Sequence, residues 1–159
     1  MTFIKFLFAM FIAFLPGVLG LIVAPMASGQ NVWYNTLAVS SLTPAGWVFS
    51  MVWMILYFFM GLALFFIMVD NNHKDHRDKA NAYTLFGINM VLNLLWSYVF
   101  FAMHLPEAAL IVLVSLIIVV LFMSRAFLRI SKSAFWLIVP YILWLMFAFY
   151  LNGMIIYLN

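Results

Sequence analysis

The stretch PAGWVFSMVWMILYFFMGLALFFIMVDNNHKDHRDK, residues 44–79, decides the fold. Its first part, residues 44–69, carries no charged side chain, whereas residues 70–79 hold six charges and two histidines. About 20 apolar residues in a helix cross the hydrocarbon of a bilayer. Each Asp, Lys or Arg placed at the centre of such a helix costs about 2.5–3.5 kcal/mol. The first part therefore reads as a membrane span and the second as a loop that must lie in water.

The same reading extends over the chain. Of 159 residues 69% are hydrophobic and 7% charged, far more apolar side chain than a soluble domain buries. The pattern predicts an all-α, polytopic membrane protein, a five-transmembrane-helix bundle in one membrane domain over residues 1–159. The spans fall at about 3–23, 44–69, 80–103, 106–128 and 134–157. The first has Lys5 near its start and Pro16, Gly17 and Gly20 inside it. It resembles a signal peptide but shows no Ala-x-Ala cleavage site, so it is read as a retained span, kinked near Pro16. Residues 24–43 form a long uncharged loop carrying Trp33 and Tyr34. Pro44 suits the first helical turn of the second span, with Thr43 as its cap. Pro106 and Glu107 suit the start of the fourth. With no cysteine, disulfides, thiolate metal sites and a catalytic thiol are excluded.

Charge sets the orientation. An odd number of spans puts the termini on opposite faces. The positive residues Lys5, Lys74, Arg77, Lys79, Arg125, Arg129 and Lys132 then all fall on the face of the N-terminus and the charged 70–79 loop. The positive-inside rule makes that face cytoplasmic and places the Trp33 loop, the His104 turn and the C-terminus outside. The expected location is a bacterial cytoplasmic membrane, with the mitochondrial outer membrane as the alternative. No partner in nucleic acid is expected.

No Asp, Glu, Lys or Arg lies at mid-depth in any span, which counts against proton-coupled pumps, ion-coupled transporters and intramembrane hydrolases. Asn89 and Asn93, four apart, share a helix face that Trp96 and Phe100 extend. They read either as interhelical glue or as a polar contact on a ligand. Trp53 and Tyr57 share a face of the second span, and Pro140, Trp144 and Ala148 recur at spacing four in the fifth, with Asn152 one turn on. Trp47, Trp136 and Tyr157 sit near helix ends as interface anchors. Trp53, Trp96 and Trp144 fall near mid-depth, where anchoring gives no reason for an indole N–H. Two readings stay open for them, ordinary bundle packing or the lining of a pocket for a flat, mostly apolar ligand. His73 and His76 are three apart among acids, but a solvated loop accounts for them and no metal site is expected. His104 reads as a polar turn residue, with axial haem ligation as the alternative.

Three stretches carry a resemblance to a known family. WYNTL at residues 33–37 with TPAGWVFSMVWMILY at 43–57, NLLWSYVFF at 93–101 and PYILWLMFAFYLN at 140–152 resemble the tryptophan-rich sensory protein and translocator protein family, the former peripheral-type benzodiazepine receptors. The resemblance covers nearly the whole chain. It implies a five-helix bundle, often a homodimer, with a pocket in the outward half closed by residues 24–43 as a lid, that binds tetrapyrroles such as porphyrin or haem, other hydrophobic small molecules and membrane lipid. No cofactor is required; porphyrin or haem would be the ligand. It implies ligand-binding roles for Tyr34, Pro44, Trp53, Asn93, Trp96, Ser97, Trp144 and Ala148, and a photochemical role for Trp53 and Trp96 in light-dependent porphyrin breakdown. The chain departs from the family where a Lys-Pro-x-Trp-x-Pro-Pro run is usual: residues 39–45 read VSSLTPA, so one proline remains. Val112 stands where many members carry an acid, and nothing basic follows Tyr150 or Tyr157 to complete a sterol pattern.

The expected function is a membrane-embedded binding or sensory protein for tetrapyrroles, without a general acid, base or nucleophile of conventional kind. The alternative is a small transporter of porphyrins or lipids. The short chain lacks the internal repeats on which alternating access usually rests.

Overall fold

A computed structural model describes residues 2–23, 33–71, 73 and 75–159, without the side chains of residues 21–23. Residues 24–32 of the expected lid, and Lys74, lie outside the described residues. Five helices follow in order: α1 Thr2–Val23, α2 Gly46–Val69, α3 His76–Ser97, α4 Pro106–Ile130 and α5 Lys132–Leu158. A 3-10 turn, Tyr34–Thr36, precedes α2, and a π-helical turn, Tyr98–Ala102, ends α3. All five helices are long and apolar enough to cross a membrane, and no strand occurs among the described residues.

Helix ends are set by caps rather than by the edge of the apolar runs. The Asp75 carboxylate accepts the Arg77 N–H at 2.8 Å, so α3 begins at His76, inside the charged run, and not at residue 80. Insertion cost fixes where the membrane ends; it does not stop a helix from continuing into water. At the other junction a single extended residue, Ser131, ends α4 and starts α5, its hydroxyl accepting from Ala134 N–H at 3.3 Å. That moves the start of α5 to Lys132. Pro106 does open α4. Pro44, in contrast, lies two residues before α2. A turn closed by Thr43 N–H donating to the Ser40 carbonyl at 2.9 Å carries the chain out extended through Ala45, which caps α2 with no side-chain bond. Thr43 is therefore not the cap. α1 continues as helix through Pro16.

The helices close a ring in the order α1, α2, α5, α4, α3. Small residues at the seams let backbones approach: Ala9, Ala13, Ala63, Ala82 and Ala134 are wholly buried. A Cβ on Gly61 would lie 2.7 Å from Met10 Sδ. Toward the charged-loop end the interior is filled by Met60, Ile67, Phe86, Leu116, Met123, Phe127 and Ile138. Charges gather there. Lys5 donates to the Met68 carbonyl at 2.9 Å, His73 pairs with Asp78 at 2.9 Å, and Lys79 bonds the Asp70 carbonyl. Phe11, Ile111, Phe122 and Leu143 point outward, as do the expected anchors Trp47, Trp136 and Tyr157. An apolar outer face of this extent is what a lipid-embedded bundle presents.

Candidate functional site

At the end away from the charged loop the ring is hollow. A cavity of about 460 Å³ opens between α1, α2, α3 and α5, roofed by the 3-10 turn and walled on one side by the π-helical turn. Small side chains create the space: Gly17 and Gly20 on α1, Gly46 and Ser50 on α2, Ser97 on α3, Ala148 on α5. Gly17 is obligatory, since a Cβ there would lie 2.8 Å from the Tyr57 ring. Aromatic rings line the rest, with Phe49 and Trp53 on one side and Trp96, Phe100 and Phe101 on the other.

A buried hydrogen-bond chain forms the floor. Tyr57 OH donates to Asn93 Oδ1 at 3.0 Å and Asn93 Nδ2 donates to Tyr141 Oη at 3.0 Å. Tyr141 OH then donates to Asn89 Oδ1 at 2.9 Å. Asn89 and Tyr141 are 0% exposed and Asn93 4%. Buried amides left unpaired in apolar surroundings would cost heavily, so each is satisfied by a neighbour on another helix. The first reading of Asn93, interhelical glue, is what these bonds show. Asn93 ties α2, α3 and α5 together and also faces the cavity.

The walls are fixed in a similar way. Trp96 donates its indole N–H to Asn152 Oδ1 at 3.3 Å, and Asn152 Nδ2 donates to the Pro106 carbonyl at 2.9 Å. The Trp96 ring stacks on Phe100 at 5.4 Å. Trp53 leans on Tyr57 at 5.5 Å and meets Tyr141 edge-on at 6.2 Å, and its indole N–H bonds no other described residue. The π-helical turn, with Met103 N–H donating to the Tyr98 carbonyl at 3.1 Å, sets the adjacent Phe100 and Phe101 both on the wall.

The roof is pinned from below. Asn159 accepts from the Ala38 N–H and donates to the Ala38 carbonyl, both at 3.0 Å. The Ser40 and Tyr150 hydroxyls are 2.9 Å apart. Trp33 stacks on His104 at 4.5 Å and 19°, the latter in the left-handed region at φ 58°. Tyr34 faces the cavity, and burial raises its phenol above the usual tyrosine range.

Of the expected site residues, Tyr34, Pro44, Trp53, Asn93, Trp96, Ser97 and Ala148 come together on this cavity. Trp144 does not. Spacing four turns it about 40° from Ala148, onto the flank that meets α2, where it lines a separate groove together with Val52, Ile55 and Phe59. Its ring backs Phe49 at 5.5 Å, and its indole N–H is buried without a hydrogen-bond partner among the described residues. Val112 is not part of the lining, and neither is His104. His76 is exposed, and no group of three His, Cys, Asp or Glu suited to a metal occurs among the described residues. Gly17, Gly20 and Phe49 escaped as site residues in a sequence reading aimed at tryptophan and asparagine. The closely spaced glycines of α1 were the available signal.

The arrangement defines a five-span membrane protein whose helices enclose an aromatic, uncharged cavity at one end. Comparison with known proteins narrows that class. The TspO/MBR family pattern matches residues 9–158, and the chain belongs to that family. It is 41% identical over 127 residues to the tryptophan-rich protein TspO of Chlorobaculum tepidum, covering 80% of this chain and 79% of that one. It is 34% identical over 133 residues to the protein of that name from Archaeoglobus fulgidus, covering 84% of each. A tryptophan-rich sensory protein of Cereibacter sphaeroides is 30% identical over 149 residues, 91% of this chain and 87% of that one. The chain is thus a multi-pass membrane protein of a family whose bacterial members are named for tryptophan content and sensing.

Proposed function

We propose that this protein binds flat, largely apolar ligands of the tetrapyrrole class within the membrane and serves as a sensor or buffer for them. The observation that carries the reading is the cavity of about 460 Å³, lined by Trp53, Trp96 and Phe100 and by no charged side chain. Its size lies within the roughly 300–1,000 Å³ of ordinary ligand sites. Ring stacking supplies most of the affinity. Asn93, whose best donor and acceptor are already engaged, contributes a rigid floor. The name of the Cereibacter sphaeroides relative agrees with a sensory role. Light-driven oxidation of a bound porphyrin, with dioxygen as the oxidant, would be a side activity involving Trp53 and Trp96. The reading puts the N-terminus in the cytoplasm; what supports it is the sequence, whose lysines and arginines all fall on one side of the five-span plan.

The test is a titration of protein in lipid nanodiscs with protoporphyrin, read by tryptophan quenching. Saturation is expected, with affinity at least about tenfold weaker in Ala148→Phe, which fills the cavity. A linear, unsaturable response, or one unchanged in Ala148→Phe, overturns the reading. Protein-dependent concentrative uptake of porphyrin into vesicles would replace it with transport. Bleaching of bound porphyrin under light should slow in Trp53→Phe or Trp96→Phe.

A further inference from the structure

The cavity contains nothing that could neutralise an anion. Its titratable groups are two phenols, Tyr34 from the 3-10 turn and Tyr57 from α2; α1, α3, α4 and α5 contribute no ionisable side chain to it. Residues 24–43 contain no charged residue either. The described cations are held at the opposite end of the bundle: Lys5 on the Met68 carbonyl, Lys79 beside Asp70 and Arg129 beside Asp78. An ionised carboxylate taken into such surroundings loses its water and gains no cation to balance its charge, a costly burial for a ligand. A neutral carbonyl is different. Trp53, whose indole N–H bonds no other described residue, and Ser97 both line the cavity.

We infer that the cavity selects the charge state of its ligand: it takes a flat apolar ring whose carboxyl groups are esterified or protonated in preference to the same ring as a carboxylate. The inference rests on the tetrapyrrole reading above and adds a rule of discrimination to it. The lining supplies polar groups and rings but no cation, so an ester enters without giving up the hydration of a charge, while a carboxylate must stay outside the cavity or take up a proton.

The experiment compares protoporphyrin and its dimethyl ester on the same protein in phosphatidylcholine nanodiscs, with binding to empty discs subtracted. At about pH 8 the ester should bind at least about tenfold more tightly than the diacid. Lowering the pH toward about 5, into the range where carboxylic acids protonate, should strengthen diacid binding and leave the ester unchanged. Ser50→Arg, which sets a guanidinium on the cavity wall, should narrow or reverse the preference. Equal or tighter binding of the diacid at about pH 8, or a pH-independent gap, overturns the inference while leaving the tetrapyrrole reading in place. Saturable binding of neither ligand overturns that reading and the inference with it.

Discussion

Tyr141→Phe removes one oxygen from the centre of the bundle and changes nothing else in shape. In the native chain that oxygen accepts from Asn93 Nδ2 at 3.0 Å and donates to Asn89 Oδ1 at 2.9 Å, with all three side chains almost fully buried. The variant therefore loses two hydrogen bonds and leaves two amide groups short of a partner. Hydrogen bonds between membrane helices average about 0.6 kcal/mol and reach about 1.7, so the loss should be about 1–3 kcal/mol, roughly ten- to a hundredfold in the unfolding constant. Unfolding in mixed micelles by titration with dodecyl sulfate, followed by tryptophan fluorescence, measures it. The pair Asn89→Leu and Tyr141→Phe should be less than additive, because the first removes the acceptor that the second orphans. Stability of Tyr141→Phe within about 0.3 kcal/mol of the parent, with an additive double variant, would refute the chain as a structural element. The phenol does not touch the cavity, so ligand affinity should fall only a few-fold, through the loosened Asn93.

Further variants probe other parts of the architecture. Gly17→Val drives a side chain into the Tyr57 ring, 2.8 Å from the first added carbon, and should cost about 1–3 kcal/mol by overpacking. Gly87→Ala, with nothing within 4 Å, should be neutral or stabilising by up to about 1 kcal/mol in the same titration. Asn159→Ala frees the roof from its two bonds to Ala38, and stopped-flow quenching should show ligand association and release both accelerated by about three- to tenfold. Burial raises the Tyr34 phenol, so its contribution to roof docking is complete at neutral pH and is lost as pH rises through the raised value. A difference ultraviolet titration of the parent against Tyr34→Phe should show one phenol ionising later than free tyrosine.

Charge and apolar length were enough to place five spans, because a bilayer tolerates so few arrangements of backbone and charge. The ends of the helices were less legible. The start of α3 depends on the Asp75 side chain turning back onto Arg77 N–H, and α5 on Ser131, each a local bond that hydropathy does not register. Asn93 and Trp96 declared themselves by being polar or amphipathic at mid-depth. Trp144 shared that signal yet lies beside the cavity wall and not on it: spacing places a residue on a face, but the neighbouring helix decides which side of that face is hollow. The Asn159 clasp on Ala38 spans 121 residues and leaves no local trace. The π-helical turn after Ser97 has none in this apolar stretch either.

The contrast between the two ends of the bundle follows from side-chain size. Where the interior is full, α2 to α5 present Ile67, Phe86, Phe127 and Ile138; where it is hollow they present Ser50, Ser97 and Ala148, opposite Gly17 and Gly20 of α1. In lipid no hydrophobic force collapses such a space, because the hydrocarbon outside is as apolar as the lining, and only packing contacts are forgone. The Tyr57 to Asn89 chain resists collapse from below by holding three helices at fixed separation. Filling the hollow should then act oppositely to cutting the chain. Ala148→Phe should leave stability unchanged or raise it, by the contacts an aromatic ring recovers in a void, while abolishing ligand binding. Tyr141→Phe should weaken the fold while largely sparing binding. If Ala148→Phe instead destabilises by more than about 1 kcal/mol in the dodecyl sulfate titration, the space is not free to accept a ring, and the argument that small residues hold it open for a ligand fails.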